Sequence, residues 1–420
     1  MHHKSTLDNG LRIVTTTMPH TRSASFCFFT GVGSRYENEA LAGVSHFIEH
    51  LLFKGTKKRP TSGDICSAIE GVGGILNAGT NKELTLYWTK TAKIHFPLSL
   101  DVITDILLHS KFDPAEIERE RQVIIEEINM SKDSPASMVN LLIDELLWPG
   151  HPLGRDTAGS KESMTGIGRD AILKFLNTHY SPDNAVVAVA GNIKHQEAVD
   201  LVGEATTGWK RKKARPSFQP YRTQPNPRLR IENKDTEQAH LCLGLPGLSM
   251  VDPRRFALDL LNVVLGEGMS SRLFIEIRDK LGLAYNIYSS SDHFLDSGCL
   301  TVYAGVDPKK LTITLKAIME QLSLIKGLIP EEELSRAKEL AKGRLLLRME
   351  DTRDVAGWTG GQEILTGRIL SVDQVTKKID AVTAMEIKTL AEELLVGEQL
   401  RLAVVGPVKK EEPLEELLKL

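Results

Sequence analysis

The sequence predicts an α+β fold made of two homologous domains, each a mostly antiparallel sheet with helices packed on one face. The chain has 420 residues, which is more than a single hydrophobic core usually serves. Short strand-like segments alternate with long amphipathic helical segments, an order that is typical of layered sheets and helices. The same order of segments occurs twice along the chain, which indicates an internal repeat.

The two copies begin with the same elements. Residues 11–31 are strand-like and lead into a helix that ends at Gly55, and residues 229–245 lead in the same way into a helix over 253–265 that ends near Gly268. Long amphipathic helices are predicted further along both halves, over residues 93–110, 308–326 and 330–350. We therefore expect each half to contain several strands and several helices.

A stretch between the two copies, residues 209–228, is typical of an extended linker. It has neither a helical nor a strand period, it contains a cluster of basic residues, and it carries Pro216, Pro220, Pro225 and Pro227. We therefore predict an N-terminal domain over 1–208 and a C-terminal domain over 229–420.

The composition is that of a globular protein and excludes several classes of partner. Hydrophobic residues make up 41% of the chain, charged residues 25%, and the net charge is −3. Such a balance gives no electrostatic footprint for nucleic acid or for an anionic membrane. No apolar run approaches the roughly 20 residues that span a bilayer, and the four cysteines lie outside any metal-binding or redox spacing. We expect a cytoplasmic protein that binds neither nucleic acid nor membrane.

The chemistry of the chain is concentrated in a predicted helix over residues 41–53, which contains the pattern H-x-x-E-H at His46, Glu49 and His50. Two histidines four residues apart on a helix point the same way, and Glu49 lies beside them. The helix is apolar on most of its surface, and buried imidazole and carboxylate groups need partners. A zinc ion satisfies all three and leaves Glu49 next to a metal-bound water. The alternative is an exposed helix with two surface histidines.

Zinc usually takes a third protein ligand, and the predicted helix over residues 113–130 offers acidic candidates. Its apolar stripe is formed by Val123, Ile124 and Ile128. Glu120 and Glu127 lie along that stripe two turns apart, whereas Glu126 lies toward the polar side. We predict Glu127 as the ligand, with Glu126 as the alternative. Glu120 then accepts the spare N–H of a ligating imidazole and fixes its tautomer.

A glycine-rich stretch, residues 71–80, precedes a strand-like segment over 84–89. Glycines leave the backbone accessible, so an edge strand here can pair with an extended peptide, to which Asn77 and Ala78 add side-chain contacts. A phosphate-binding loop is the competing interpretation. It is disfavoured because no Lys-Ser or Lys-Thr pair follows the glycines.

Two runs of sequence, residues 31–38 and 43–56, resemble the inverted-motif zinc peptidases of the pitrilysin and insulinase family. In chain length and in the details of these motifs, the sequence is most similar to the bacterial branch of that family, the mitochondrial-processing-peptidase-like proteins. The family pattern E-R-x-V-I-x-x-E is matched at residues 120–127. The resemblance therefore also assigns the third ligand to Glu127.

The resemblance extends into the second half. Residues 270–285 are similar to the family's C-terminal signature, in which an arginine and a tyrosine reach the substrate, here Arg278 and Tyr285. A guanidinium can hold substrate carbonyls, and a phenol can donate to the oxyanion of the tetrahedral intermediate. Without the resemblance, the two residues would be interpreted as a surface charge and as strand packing. The family also implies that Phe53 lines a side-chain pocket next to the scissile bond.

The second copy carries no metal motif. When Gly55 is aligned with Gly268, the positions of the first-half motif are occupied by Asp259, Asn262 and Val263. The resemblance accordingly implies one zinc ion per chain, in the first half.

Together these features predict a zinc-dependent endopeptidase for unfolded peptides or presequence-like segments. Glu49 takes a proton from the zinc-bound water and passes it to the leaving amine. Relatives enclose their substrate in a chamber built from two two-domain units, which implies a homodimer, or a heterodimer with a related chain. The alternative function is a catalytically silent core or scaffold subunit with the same fold.

Overall fold

The structure is a computed structural model that describes residues 2–211, 217–222, 224, 227–408 and 413–420. Part of the predicted linker, residues 212–216, 223, 225 and 226, lies outside the described residues, and Pro216 and Pro225 are among them. The chain forms two compact units. Unit 1 consists of Met1–Ile128, Asp156–Gln219 and Leu346–Ser371, and unit 2 consists of Asn129–Arg155, Pro220–Leu345 and Val372–Leu420.

Strands and helices alternate along the described chain much as the sequence predicts. The strands are β1 His2–Thr6, β2 Arg12–Thr17, β3 Ser23–Thr30, β4 Ile75–Thr80, β5 Thr85–Ala92, β6 Ala185–Gly191, β7 Leu229–Asn233, β8 Ala239–Pro246, β9 Ala284–His293, β10 Gly298–Val306 and β11 Arg401–Gly406. The α-helices are α1 Val44–Leu52, α2 Ser62–Glu70, α3 Phe96–His109, α4 Pro114–Asp133, α5 Pro135–Leu147, α6 Lys161–Gly166, α7 Arg169–His179, α8 His195–Ala205, α9 Arg255–Gly266, α10 Leu311–Leu324, α11 Glu331–Arg348, α12 Thr352–Thr366, α13 Val372–Ala381 and α14 Ala384–Leu394. Within the described residues, no helix has the length and apolar character needed to span a membrane.

The two sheets share one topology, which confirms the predicted α+β class. The order is β1-β2-β6-β3-β5-β4 in unit 1 and β7-β11-β8-β10-β9 in unit 2. Apart from β1, each sheet has one parallel pair, β2 with β6 or β7 with β11, followed by three antiparallel pairings. The strand order therefore supports two copies of one architecture, each with a mostly antiparallel sheet.

Helices cover both faces of the unit 1 sheet. The prediction placed helices on one face only, so the structure contains one more helix layer than expected. Every residue of β6 is buried. Val187 and Val189 join the core formed with α1, α3 and α8, whereas Val186 and Ala188 join a second core formed with α12. In unit 2, α5 packs on β8 and β11 in the same manner. The second helix layer was not expected, because in each unit it comes from the other half of the chain.

The compact units therefore differ from the linear division predicted at residues 1–208 and 229–420. Residues 129–155, which include α5, belong to unit 2, and residues 346–371, which include α12, belong to unit 1. Neither α5 nor α12 was predicted from the sequence, and which sheet such a helix covers depends on contacts distant in sequence, which periodicity along the chain does not record.

Close packing and polar contacts hold α12 on the unit 1 sheet. A Cβ atom at Gly360 would lie 2.2 Å from Cε2 of Phe29, so the helix approaches the strand at a distance that a larger residue prevents. The buried carboxylate of Glu363 accepts hydrogen bonds from Lys4 Nζ at 2.5 Å and from Arg12 Nη1 at 3.0 Å. The C-terminal half of the chain thereby completes the core of unit 1.

The packing of α12 predicts opposite effects for two adjacent glycines. Gly360→Ala should lower the free energy of unfolding by about 1–3 kcal/mol, because the added methyl group overpacks the contact with Phe29. Gly361→Ala is the matched control. Its Cβ meets no atom within 4 Å, so the gain in helix propensity should raise stability by up to about 1 kcal/mol. Chemical denaturation of both variants checks this, and equal stability would contradict the close-packing account.

Candidate metal centre

The start of α1 is fixed by a buried carboxylate from the preceding segment. Glu37, which is 3% exposed, accepts hydrogen bonds from the backbone N–H groups of Gly43 and Ser45, each at 2.7 Å. These donors have no partner within the helix, and a negative charge is favourable at a helix N-terminus. Gly43 has φ +92°, and a Cβ there would lie 2.3 Å from the carbonyl oxygen of Ala158. Sequence reasoning missed Glu37, since it caps the helix from outside it and no helical spacing signals it.

Three ligand atoms converge on one side of α1. Nε2 of His46 and Nε2 of His50 are 3.0 Å apart, and Oε2 of Glu127 lies 3.8 Å from each of them. Tetrahedral zinc with bonds of 2.0–2.1 Å holds its ligand atoms roughly 3.3 Å apart. Among the described residues, this is the one group of three or more such side chains whose ligand atoms lie close enough to share an ion. The three residues therefore fit a zinc ion.

Glu120 holds the ring of His50. Its Oε1 lies 2.8 Å from Nδ1 of His50, and its Oε2 lies 2.5 Å from Nζ of Lys54. The carboxylate accepts a hydrogen bond from Nδ1–H, which leaves Nε2 as the atom with a free lone pair for a metal. Burial works to raise the pKa of Glu120, but the hydrogen bonds from His50 and Lys54 hold the pKa below its usual value. Sequence reasoning anticipated the position of Glu120 and missed Lys54.

The two histidines differ in their electrostatic environment. Burial, reinforced by the neighbouring His50, lowers the pKa of His46 to about 4. For His50, burial acts in the same direction, but the hydrogen bond with Glu120 and the charge of Glu127 outweigh it and raise the pKa. A divalent cation replaces protons at such a site, because imidazole binds metal in its neutral form.

Glu49 lies on the same helix and faces β4. Its Oε2 accepts a hydrogen bond of 2.6 Å from the hydroxyl of Thr80, the last residue of β4. Burial raises the pKa of Glu49, and the hydrogen bond from Thr80 and the nearby His50 oppose that shift. The carboxylate is thus in a suitable environment for a general base. Thr80 was not anticipated from the sequence as a partner of Glu49.

The acidic helix α4 differs in one detail from the predicted pattern. Val123 was assigned to the apolar stripe, but it is 45% exposed, and the buried face consists of Ile117, Ile124, Ile125 and Ile128. Glu127 lies beside that face and reaches the histidines, whereas Glu126 is exposed and lies outside the group. The stripe is displaced from the predicted one because helix packing selected Ile125 and not Val123.

Strand β4, which contains Asn77 and Ala78, forms one edge of the unit 1 sheet. It pairs with β5 alone among the described strands. Asn77 is exposed, and its Oδ1 accepts a hydrogen bond from the N–H of Ala78 at 2.7 Å. Phe53 follows the last residue of α1 and is half-buried against the core, with its ring 6.3 Å from that of Tyr87. The edge is therefore available for an extended peptide, and Phe53 also contributes to packing.

The residues predicted from the second half lie in unit 2. The guanidinium of Arg278 lies over the ring of Tyr285, 4.6 Å from its centroid, and Tyr285 is 78% exposed. On α9, Asn262 accepts a hydrogen bond from the hydroxyl of Ser289 at 2.6 Å, and Asp259 pairs with His293 at 2.9 Å. The predicted pair is thus brought together. Of the three counterparts of the first-half motif, Asp259 and Asn262 make ordinary polar contacts and Val263 is buried in the core.

Comparisons with known proteins agree with this arrangement. Residues 12–161 match the model of the insulinase family (peptidase family M16), and residues 166–340 match that of the M16 inactive domain. An uncharacterized zinc protease of Streptomyces coelicolor is 39% identical over 97% of this chain and 90% of its own length. The uncharacterized zinc protease YmxG of Bacillus subtilis is 36% identical over 97% of this chain and 98% of its own length.

A solved structure supports the same assignment. The crystal structure of a protease from Helicobacter pylori superposes with a TM-score of 0.89 at 26% identity, over 97% of this chain and 99% of that chain. The superposition extends over both units. The two sequence relatives likewise align with nearly the whole length of this chain. The chain therefore belongs to the pitrilysin and insulinase family of peptidases, family M16.

Proposed function

We propose that this chain is a zinc-dependent endopeptidase that hydrolyses unfolded peptides or presequence-like segments. The observation that carries the proposal is the convergence of His46, His50 and Glu127 at ligand distances, with Glu49 on the same helix. A zinc ion held by these three residues would activate a water molecule and polarise the scissile carbonyl. The names of the relatives, uncharacterized zinc proteases, support the metal and the reaction class.

The residues of the chain have distinct tasks in this reaction. Glu49 accepts a proton from the attacking water and donates it to the amine that leaves, because its carboxylate is partly desolvated and lies next to the ligands. Glu120 and Lys54 keep the His50 ring oriented. The open edge of β4 pairs with an extended substrate, and Asn77 and Ala78 contact its side chains.

The catalytically silent alternative requires a site that has lost a ligand or its base. The first half keeps two histidines, the glutamate ligand and the base, whereas the second half has Asp259, Asn262 and Val263 at the aligned positions. The matched inactive-domain model covers residues 166–340 and does not include the zinc motif. These observations favour an active enzyme, and the zinc content together with peptide cleavage distinguishes the two functions.

We also propose that the active unit is a dimer, in which the zinc half of one chain faces Arg278 and Tyr285 of the other. The pair lies together and Tyr285 is largely exposed, which suits groups that contact a bound peptide. A phenol hydroxyl donates to an oxyanion, and a guanidinium holds carbonyl groups. The partner is an identical chain, or a related one if the protein is monomeric alone.

The role of Glu49 predicts a selective loss of activity. Glu49→Gln keeps the size of the side chain and removes the proton acceptor, so cleavage of an unfolded peptide should fall by about 10²- to 10⁴-fold. Elemental analysis should still find roughly stoichiometric zinc, since the ligands are unchanged. Turnover within a few-fold of the wild type would refute the assigned role.

Adjacent glutamates on α4 should respond differently. Glu127→Gln should weaken zinc binding by about 10-fold or more, because it removes an anionic ligand, whereas Glu126→Gln should retain the metal. Glu126 is the matched control, since it is exposed and lies outside the ligand group. Zinc titration of both variants measures the difference, and loss of metal from the Glu126 variant alone would reverse the assignment.

A shared site predicts recovery of activity in mixed dimers. Glu49→Gln and Tyr285→Phe are each expected to be strongly impaired. If Tyr285 acts across the interface, every mixed dimer contains one intact site, and random exchange restores about a quarter of wild-type activity. Activity that remains at the level of the separate variants, while mass spectrometry demonstrates exchange, would exclude the shared site.

A further inference from the structure

The hydrogen bond between Thr80 and Glu49 joins the edge strand to the helix that carries the metal ligands. Among the described residues, Thr80 is the one side chain that donates a hydrogen bond to the Glu49 carboxylate, at 2.6 Å. The hydroxyl engages Oε2, and the backbone N–H of Thr80 also donates a hydrogen bond to the same carboxylate, so Thr80 holds Glu49 through both its side chain and its main chain. Thr80 itself is half-buried at the end of β4.

The position of the Thr80 hydroxyl is fixed by the turn that follows it. Thr80 pairs with Thr85 in the β4–β5 register, and the N–H of Asn81 donates to the carbonyl of Leu84 at 2.8 Å. The turn is also tied to the segment that precedes α1: the N–H of Ser34 donates to Asn81 O at 3.1 Å, and that of Arg35 donates to Lys82 O at 2.8 Å.

A buried ion pair strengthens this attachment. The guanidinium of Arg35, which is 1% exposed, lies 2.5 Å from the carboxylate of Glu83 in the same turn. The short segment Ser34–Glu37 therefore holds two elements at once. Arg35 fixes the turn after Thr80, and Glu37 caps the start of the helix that carries Glu49. The distance between the hydroxyl and the carboxylate follows from this common attachment.

We propose that Thr80 is a positioning residue that orients the Glu49 carboxylate and couples the orientation of this base to the edge strand. A free glutamate side chain has several rotatable bonds, and fixing it costs conformational entropy. The hydrogen bond offsets part of that cost before substrate binds. Because Thr80 terminates the strand that presents Asn77 and Ala78, a peptide paired with β4 rigidifies the same element. The inference rests on the proposed function, in which Glu49 is the base.

A purely structural role must be separated from positioning. In unit 2, the hydroxyl of Ser289 on β9 donates to Asn262 on α9 at 2.6 Å, so a similar link between helix and strand exists where no metal motif is present. A variant that only loosened the fold would lower stability and zinc content together with activity. A positioning defect lowers kcat while stability, metal content and KM stay nearly constant.

The experiment compares Thr80→Val, Thr80→Ser and the control Thr89→Val with the wild type. Thr89 is buried on β5, and its hydroxyl has no hydrogen-bond partner among the described residues. Thr89→Val therefore replaces a hydroxyl by a methyl group, as Thr80→Val does, but breaks no hydrogen bond. Thr80→Val should lower kcat by about 10- to 100-fold with KM changed less than about twofold. Thr80→Ser should restore kcat to within about threefold, and Thr89→Val should be nearly neutral.

Two results would overturn the proposal. One is wild-type kcat in Thr80→Val. The other is a loss that Thr80→Ser does not rescue, or that parallels a loss of zinc or of thermal stability. Crystal structures of the wild type and Thr80→Val give a readout that does not depend on activity. The Glu49 carboxylate should adopt one conformation in the wild type and several in the variant, and one conformation in both would refute the positioning role. If the wild type cleaves no peptide, the proposed function fails, and the crystal structures still test Thr80.

Discussion

The candidate site depends on how the N-terminus of α1 is held. Glu37 supplies a buried negative charge to the first N–H groups of the helix, and Gly43 provides the backbone conformation and the space that this start requires. Because the helix is short, its first turn determines where His46, Glu49 and His50 point. A shift in that turn would move both metal ligands and the base together. Preorganisation of this kind separates a working metal site from a mere collection of ligand-type residues.

The charges around the helix explain why a cation is the natural occupant. Three carboxylates, those of Glu49, Glu120 and Glu127, surround two imidazoles, and Lys54 is engaged by Glu120. Glu120 is buried whereas the Glu127 side chain is 41% exposed, and like charges held this close together are costly unless a positive charge compensates them. A divalent cation would provide that compensation, and the lone pairs on both Nε2 atoms are placed to bind it. The same arrangement leaves Glu49 beside the ligands, which is where hydrolytic chemistry needs a base.

Each unit is completed by a helix from the other half of the chain. α12 covers the back of the sheet that supports α1, and Gly360 and Glu363 fix it there through close packing and ion pairs. The half of the chain that carries the candidate metal centre therefore cannot bury both faces of its sheet with its own sequence alone. Because of this dependence, a boundary at the linker separates the two copies of the repeat but does not coincide with the boundary between the compact units.

The sequence by itself determined the features that depend on local spacing. Helical geometry makes His46 and His50 neighbours and sets Glu120 two turns from Glu127, and alternating apolar residues identify the strands and hence the α+β class. Only the tertiary structure decided the contacts between distant segments. In these contacts Glu37 caps the start of α1, Thr80 donates a hydrogen bond to Glu49, and Lys54 forms an ion pair with Glu120. It also decided that Ile125 and not Val123 faces the core and that α5 and α12 exchange between the halves. Such contacts depend on how elements pack in three dimensions, and no periodicity along the chain records them.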